Sequence, residues 1–274
     1  GFTDYTNCVD DTLLHADDTV ACFRKTCEYI SLAGKGGIIF NQKKFQFCED
    51  EVTFLGFRVS REKVLPGLDF IKSVRDFPRP RDITGIRSWF GLTNQLAFAF
   101  STTPIMQPFR DLLKPSSEFT WTDELQTAFE SSKEHIIAAI HEGVTIYEPS
   151  RTTALLTDWS KVGLGFVLMQ KHCSCPGKSP VCCSTGWKVT FVVSRFCSPA
   201  ESRYAPIEGE SLAVAWSLKK AKYFLLGHPD LTVATDHQPL LKLLGDRALE
   251  DIPNPRLFNL KEKTLRYRFA LKRV

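Results

Sequence analysis

Three acids in the last part of the chain, Asp158, Glu210 and Asp236, stand where regular structure would make them meet. Asp158 ends the apolar run Thr153–Asp158, which reads as a strand, and Asp236 directly follows a second such run, Leu231–Thr235. Glu210 falls in the first turns of a helix expected from Pro206 to Leu226. Carboxylates at the carboxyl ends of neighbouring strands, joined by one from a helix, repel one another unless cations lie between them. Magnesium, or manganese in its place, is the natural occupant. Two such ions roughly 4 Å apart can activate a water and stabilise the leaving oxygen of a phosphodiester, a task for carboxylates rather than imidazole or thiolate. The same spacing also allows three unrelated helix caps and surface charges.

Other groupings carry chemistry of their own. Asp10-Asp11 sits within the alternating stretch Gly1–Leu14, and such a pair serves equally as a hairpin turn or as a metal-binding pair. Lys72, Arg75, Arg79, Arg81 and Arg87, with Lys43 and Lys44 ahead of them, offer cations to a phosphate backbone; interspersed acids such as Asp76 and Asp82 also allow a plain solvated helix face. Cys173, Cys175, Cys182 and Cys183, with His172 nearby, form a dense cluster between two expected strands. Zinc and a tolerant hairpin insertion both accommodate it, since the spacing is not that of two clean pairs separated by a loop.

The elements that must position these groups fall into a mixed α/β and α+β order. A helix from Thr19 to Ala33, capped by Asp18, is stopped by the glycines after Ala33 before a strand near Ile38–Phe40. Glu51–Ser60 reads as a hairpin about Gly56. Helices are then expected over Leu68–Asp76, from Asp82 onward with Trp89 and Phe90 turned to a core, and over Asp123–His141. Glu148-Pro149-Ser150 marks a boundary, after which strands at Thr153–Asp158, Gly163–Gln170, Lys188–Arg195 and Leu231–Thr235, the long helix, shorter helices and a last strand near Tyr267–Val274 complete the chain.

At 274 residues, with 43% hydrophobic and 24% charged residues, the chain has the composition of an ordinary folded protein and the length of two domains. A net charge of +4 permits a polyanionic partner without requiring one. Nine scattered cysteines argue for free thiols in a reducing, intracellular setting, cytoplasmic or nuclear. No run approaches the roughly 18 apolar residues of a membrane span, so no membrane association is expected.

Around the acids the sequence resembles a known family. Leu155-Leu156-Thr157-Asp158-Trp159-Ser160 with Gly163-Leu164-Gly165-Phe166 is similar to the first ribonuclease H hairpin of gypsy-type LTR retrotransposon pol polyproteins. Ser194-Arg195, Glu201, Tyr204, Glu208, Glu210, Leu212-Ala213 and Trp216 resemble its second motif, and Thr235-Asp236-His237-Gln238-Pro239-Leu240 its third. The resemblance implies that Asp158, Glu210 and Asp236 are metal-binding acids, with Glu208 the weaker candidate, and that the substrate is an RNA·DNA hybrid or primer–template duplex. Cys8-Val9-Asp10-Asp11 resembles the reverse-transcriptase box whose aspartate pair binds catalytic metals, although a tyrosine usually stands where Cys8 is. Phe54, Leu55 and Gly56 are similar to the hairpin that grips the primer, and Arg79-Pro80 to Gly91-Leu92 to the thumb.

The implied organisation is a partial reverse-transcriptase palm with primer-grip hairpin over 1–60, a helical thumb over 61–112, a linking segment over 113–150, and a ribonuclease H-like mixed five-stranded sheet with helices over 151–274, truncated at its C-terminus. A further palm aspartate and the fingers are expected before Gly1, and a further ligand beyond Val274. Polymerisation by these residues alone is therefore not expected. The implied activity is hydrolytic, as an endonuclease; a catalytically silent nucleic-acid-binding or scaffold remnant is the alternative. A dimer, or a separate pol subunit, would supply what is missing.

Overall fold

The computed structural model describes residues 5–114, 118–177, 180, 182–183 and 185–274. The chain opens on a hairpin of β1 (Tyr5–Cys8) and β2 (Asp11–Leu14), so the expected Gly1–Leu14 stretch is two strands about a turn, its first four residues lying outside those described. Helix α1 (Thr19–Lys35) starts where Asp18 accepts the Ala21 N–H at 2.8 Å, the side-chain bond that an N-cap aspartate supplies. No strand forms at Ile38–Phe40: that segment is irregular, and Ile39 is 95% exposed. An apolar run becomes a strand only where a neighbour takes its backbone groups.

The hairpin β3 (Glu51–Phe54) and β4 (Phe57–Ser60) turns through Leu55 and Gly56, both at positive φ, the conformation of a type I′ turn. Two strands extend it: β5 (Lys63–Pro66), and β6 (Val144–Thr145) from far along the chain. Between them run α2 (Leu68–Arg75), α3 (Ile83–Gln95), the short α4 (Thr102–Met106) and α5 (Asp123–Glu142). These helices share one apolar core in which Trp89, Phe109, Phe129, Ile86 and Ile136 are fully buried. Trp89 lies 5.0 Å, centroid to centroid, from both Phe77 and Phe129, so α5 belongs to the same packed unit as α2 and α3.

The last part is a five-stranded mixed sheet ordered β11–β10–β7–β8–β9. Its strands are β7 (Thr153–Trp159), β8 (Gly163–Lys171), β9 (Trp187–Phe196), β10 (Leu231–Thr235) and β11 (Ala270–Arg273). β7, β8 and β9 are antiparallel; β10 is parallel to both β7 and β11. Every residue of β10 is buried, as expected for a strand covered on both faces. The long helix is broken at Ala221 into α6 (Pro206–Lys220) and α7 (Lys222–Leu225), followed by α8 (Gln238–Leu244) and α9 (Pro255–Thr264). Val214 and Leu218 of α6 meet Leu155, Leu168 and Val233 of the sheet in a second core.

The helical unit is docked on this sheet. Thr103 N–H donates to Ser194 Oγ at 3.1 Å, Val192 N–H to Phe98 O at 3.0 Å, and Arg110 to Cys197 O at 3.1 Å, with its guanidinium 4.7 Å from the Phe196 ring centre. Among the described residues no helix is long and apolar enough to cross a membrane.

Candidate active site

The parallel pairing of β7 and β10 decides where two of the acids go. Leu156 lies opposite Ala234, so Asp158 and Asp236 emerge at the same carboxyl end of adjacent strands. Both are exposed. Helix α6 crosses β7 and brings Glu210, only 7% exposed, up to the pair. The three carboxylates feel one another. Burial first, then the charges of Asp158 and Asp236, push the Glu210 carboxyl up to about 7. Asp158 as a residue stays open to solvent, yet partial loss of its carboxyl's hydration, followed by the charge of Asp236, raises it as well. The Trp159 backbone N–H opposes both shifts by donating into the cluster.

Glu210 Oε2 is buried and has no hydrogen-bond partner. A buried carboxylate oxygen left bare beside two like charges is unfavourable by several kcal/mol in principle, and a hard cation removes both penalties at once. The donor set is all oxygen, which suits magnesium or manganese rather than a softer metal. The residues present therefore fit a divalent ion.

Glu208, two positions away, is occupied otherwise. Its carboxylate accepts from Ala205 N–H at 3.1 Å, Asn254 at 3.0 Å and Arg256 at 2.9 Å, tying α6 to the start of α9. Together these donors hold the carboxyl below its usual range against the opposing effect of burial, the largest single influence on it. Glu201 is likewise engaged: Arg195 grips it through two bonds of 2.7 and 2.8 Å, and the carboxyl falls to about 2.

Sequence reasoning missed the role of Gly209. A β-carbon there would lie 2.1 Å from Cδ2 of the Trp159 ring, so α6 can approach the end of β7 closely enough for Glu210 to reach Asp158 only with glycine at this position. The signal was present as a glycine in a helix interior, where it is unfavourable without a packing reason.

The remaining candidates lie apart from this cluster. Asp10 is in the β1–β2 turn and Asp11 opens β2, both exposed, next to Val9 at φ +52°. Phe54 is half-buried, while Leu55 and Gly56 are exposed at the tip of the β3–β4 hairpin. Lys72, Arg75, Arg79, Arg81 and Arg87 are all exposed on or beside α2 and α3, and Lys43 and Lys44, ahead of the β3–β4 hairpin, are exposed as well. Arg79 sits 5.7 Å over Trp121. Cys173, Cys175, Cys182 and Cys183 converge at the far end of the last sheet, with all four sulfurs within 4.8 Å of one another.

Comparison with known proteins agrees with this architecture. Residues 148–267 match the family described as an RNase H-like domain found in reverse transcriptase, a class that generally depends on divalent metals. The chain is 28% identical over 255 residues to the retrovirus-related Pol polyprotein from transposon gypsy of Drosophila melanogaster, covering 87% of this chain and 23% of that protein. It is 25% identical over 235 residues to the transposon Tf2-3 polyprotein of Schizosaccharomyces pombe, covering 85% of this chain and 17% of that protein. The chain thus spans about a quarter or less of these relatives.

A foamy viral protease-reverse transcriptase in complex with double-stranded DNA shares the fold at TM-score 0.76 and 18% identity, over 100% of this chain and 46% of that one. Another foamy viral protease-reverse transcriptase, in complex with RNA/DNA hybrid, matches at TM-score 0.75 and 18% identity, over 98% of this chain and 35% of that one. Residues 148–267 thus match an RNase H-like domain of the reverse-transcriptase kind, in a chain similar over most of its length to the polyproteins of gypsy and Tf2 LTR retrotransposons.

Proposed function

We propose that this chain hydrolyses the RNA strand of RNA·DNA hybrids at the Asp158–Glu210–Asp236 cluster. The observation that carries the reading is the bare, buried Glu210 oxygen beside two like charges, an arrangement that calls for cations. Asp158, Glu210 and Asp236 would together hold the divalent ions. Magnesium or manganese bound there supplies water activation and charge stabilisation at the leaving oxygen. The protein's own part is positional: Gly209 admits the Trp159 ring, and the Trp159 N–H orients the carboxylates.

The exposed cations on α2 and α3 are suited to neutralise duplex phosphates, and an RNA·DNA hybrid would be distinguished by its 2′-hydroxyls across the minor groove. We assign 1–60 to a reverse-transcriptase palm portion, 61–112 to a thumb, 113–150 to a link and 151–274 to the ribonuclease H-like unit. In that assignment Asp10 and Asp11 would hold metals for nucleotide addition, Phe54, Leu55 and Gly56 contact a primer end, and the chain acts as a dimer or beside a further pol subunit.

The test is cleavage of a labelled RNA·DNA hybrid with and without magnesium, beside Asp158→Asn. Metal-dependent cleavage lost in a normally folded variant supports the site; equal cleavage by the variant refutes it. Tight hybrid binding without cleavage would instead favour a silent binding protein that acts through the basic helices.

A further inference from the structure

The connection between β8 and β9, residues 172–186, is long for a hairpin, where loops of about 2–5 residues are usual. It carries Cys173, Cys175, Cys182 and Cys183, each half-buried, and all four sulfurs fall within 4.8 Å of one another. We propose that these four cysteines form a structural zinc site that closes this loop, independent of the acidic cluster and of the activity assigned to it.

The geometry is that of one ion with four ligands. A tetrahedron with Zn–S bonds of about 2.3 Å has sulfur–sulfur edges of about 3.8 Å. Cys173 and Cys182 already stand 3.5 Å apart, beyond the roughly 2.05 Å of a disulfide and close to such an edge. Two disulfides would draw the sulfurs into two pairs, whereas here each lies within reach of the other three. An all-thiolate set with no oxygen donor selects a soft or borderline metal, and four ligands leave no open position for a substrate, as in structural zinc sites.

The surroundings supply what a tetrathiolate centre needs. The Trp187 indole N–H donates to Cys182 Sγ at 3.3 Å, a second-layer bond of the kind that orients ligands and spreads their charge. Lys171 reaches into the loop, donating to the carbonyls of Cys175 and, at 2.7 Å, Gly177, and so places a positive charge beside the thiols. Gly186 is needed for closure, since a β-carbon there would meet Cys183 Sγ at 2.4 Å and Cys173 Sγ at 2.6 Å.

The site is remote from the acids. Asp158 pairs with Gly165, whereas the loop begins after Lys171, six residues further along β8, or about 20 Å at strand spacing. Zinc here would brace the hairpin without entering the reaction.

The experiment uses the full chain purified under reducing conditions without chelator. Its zinc content is measured by mass spectrometry, and the stripped protein is titrated with Co2+, whose tetrahedral thiolate complexes give sulfur-to-metal charge-transfer absorption. About one zinc per chain is expected, with a Co2+ spectrum that saturates at about one equivalent and is displaced by zinc. Cys182→Ser should abolish the band, and Cys48→Ser, at an exposed thiol elsewhere, should keep it. The wild-type titration needs no variant to fold. The proposal is overturned if the wild-type chain binds no zinc and gives no charge-transfer band, if the band survives Cys182→Ser, or if trapped material contains a Cys173–Cys182 disulfide instead of metal.

Discussion

Replacing Gly209 by alanine reverses the usual sign of a helix substitution. In a helix interior, exchanging glycine for alanine ordinarily stabilises by about 1 kcal/mol. At 209, however, the new β-carbon would lie 2.1, 2.3 and 2.5 Å from Cδ2, Cε2 and Cε3 of Trp159. Ordinary carbon–carbon contact begins near 3.5 Å, so ring and helix must part by about 1.4 Å. The ring has little room to retreat, because it packs with Leu164, Leu212, Ala213 and Trp216. Overpacking of this kind costs up to about 3 kcal/mol, which leaves a net loss of about 2 kcal/mol.

Urea denaturation of metal-free protein measures that loss, and cleavage of a labelled hybrid should fall by about 100-fold as Glu210 withdraws from Asp158. Gly91 in α3 is the internal control. Nothing lies within 4 Å of a β-carbon there, so Gly91→Ala should gain up to about 1 kcal/mol. Adding Trp159→Leu to Gly209→Ala should restore part of the lost stability. The reasoning fails if Gly209→Ala alone is as stable as the parent.

The acidic cluster makes further predictions. With its folded value near 7, above the ordinary glutamate value of 4.5, Glu210 contributes stability that is complete below about pH 4.5 and lost as pH rises through 7. Metal-free protein should therefore lose about 3 kcal/mol of stability across that window relative to Glu210→Gln, and magnesium should restore it at pH 8; parallel pH profiles for the two proteins would contradict this. Glu208→Ala should behave oppositely to Glu210→Gln. It breaks the ties to Asn254 and Arg256, lowering stability by about 2 kcal/mol while leaving divalent-ion affinity nearly intact, which paired denaturation and calorimetric titration would separate.

Much of this arrangement was legible because it rests on short-range patterns. The runs ending at Asp158 and Thr235 are apolar enough to announce strands, and Asp18 and Asp82 announce helix starts through side-chain bonds their own neighbours supply. What was illegible depends on distant partners. Ile38–Phe40 is apolar but has no pairing strand among the described residues, and β6 is two residues long and forms only because β5 waits for it. The break at Ala221 carries neither glycine nor proline, so an unbroken helix was the natural expectation. Glu208 and Glu210 are alike in composition and separated only by context: one meets donors from α9, while the other faces carboxylates.

The contact between Phe98 O and Val192 N–H has a bearing on how the molecule can be cut. β9 is ten residues long and terminates the sheet, and strands in that position present unpaired amides to any passing chain. Here the segment around Phe98 and α4 lies along it, Phe98 O taking the Val192 amide and Thr103 N–H donating to the Ser194 hydroxyl. A fragment begun at the sequence boundary near residue 150 would shed this cover and expose a sticky margin rich in Val and Phe. The outer strand of the last sheet thus owes its cover to the helical unit that precedes it.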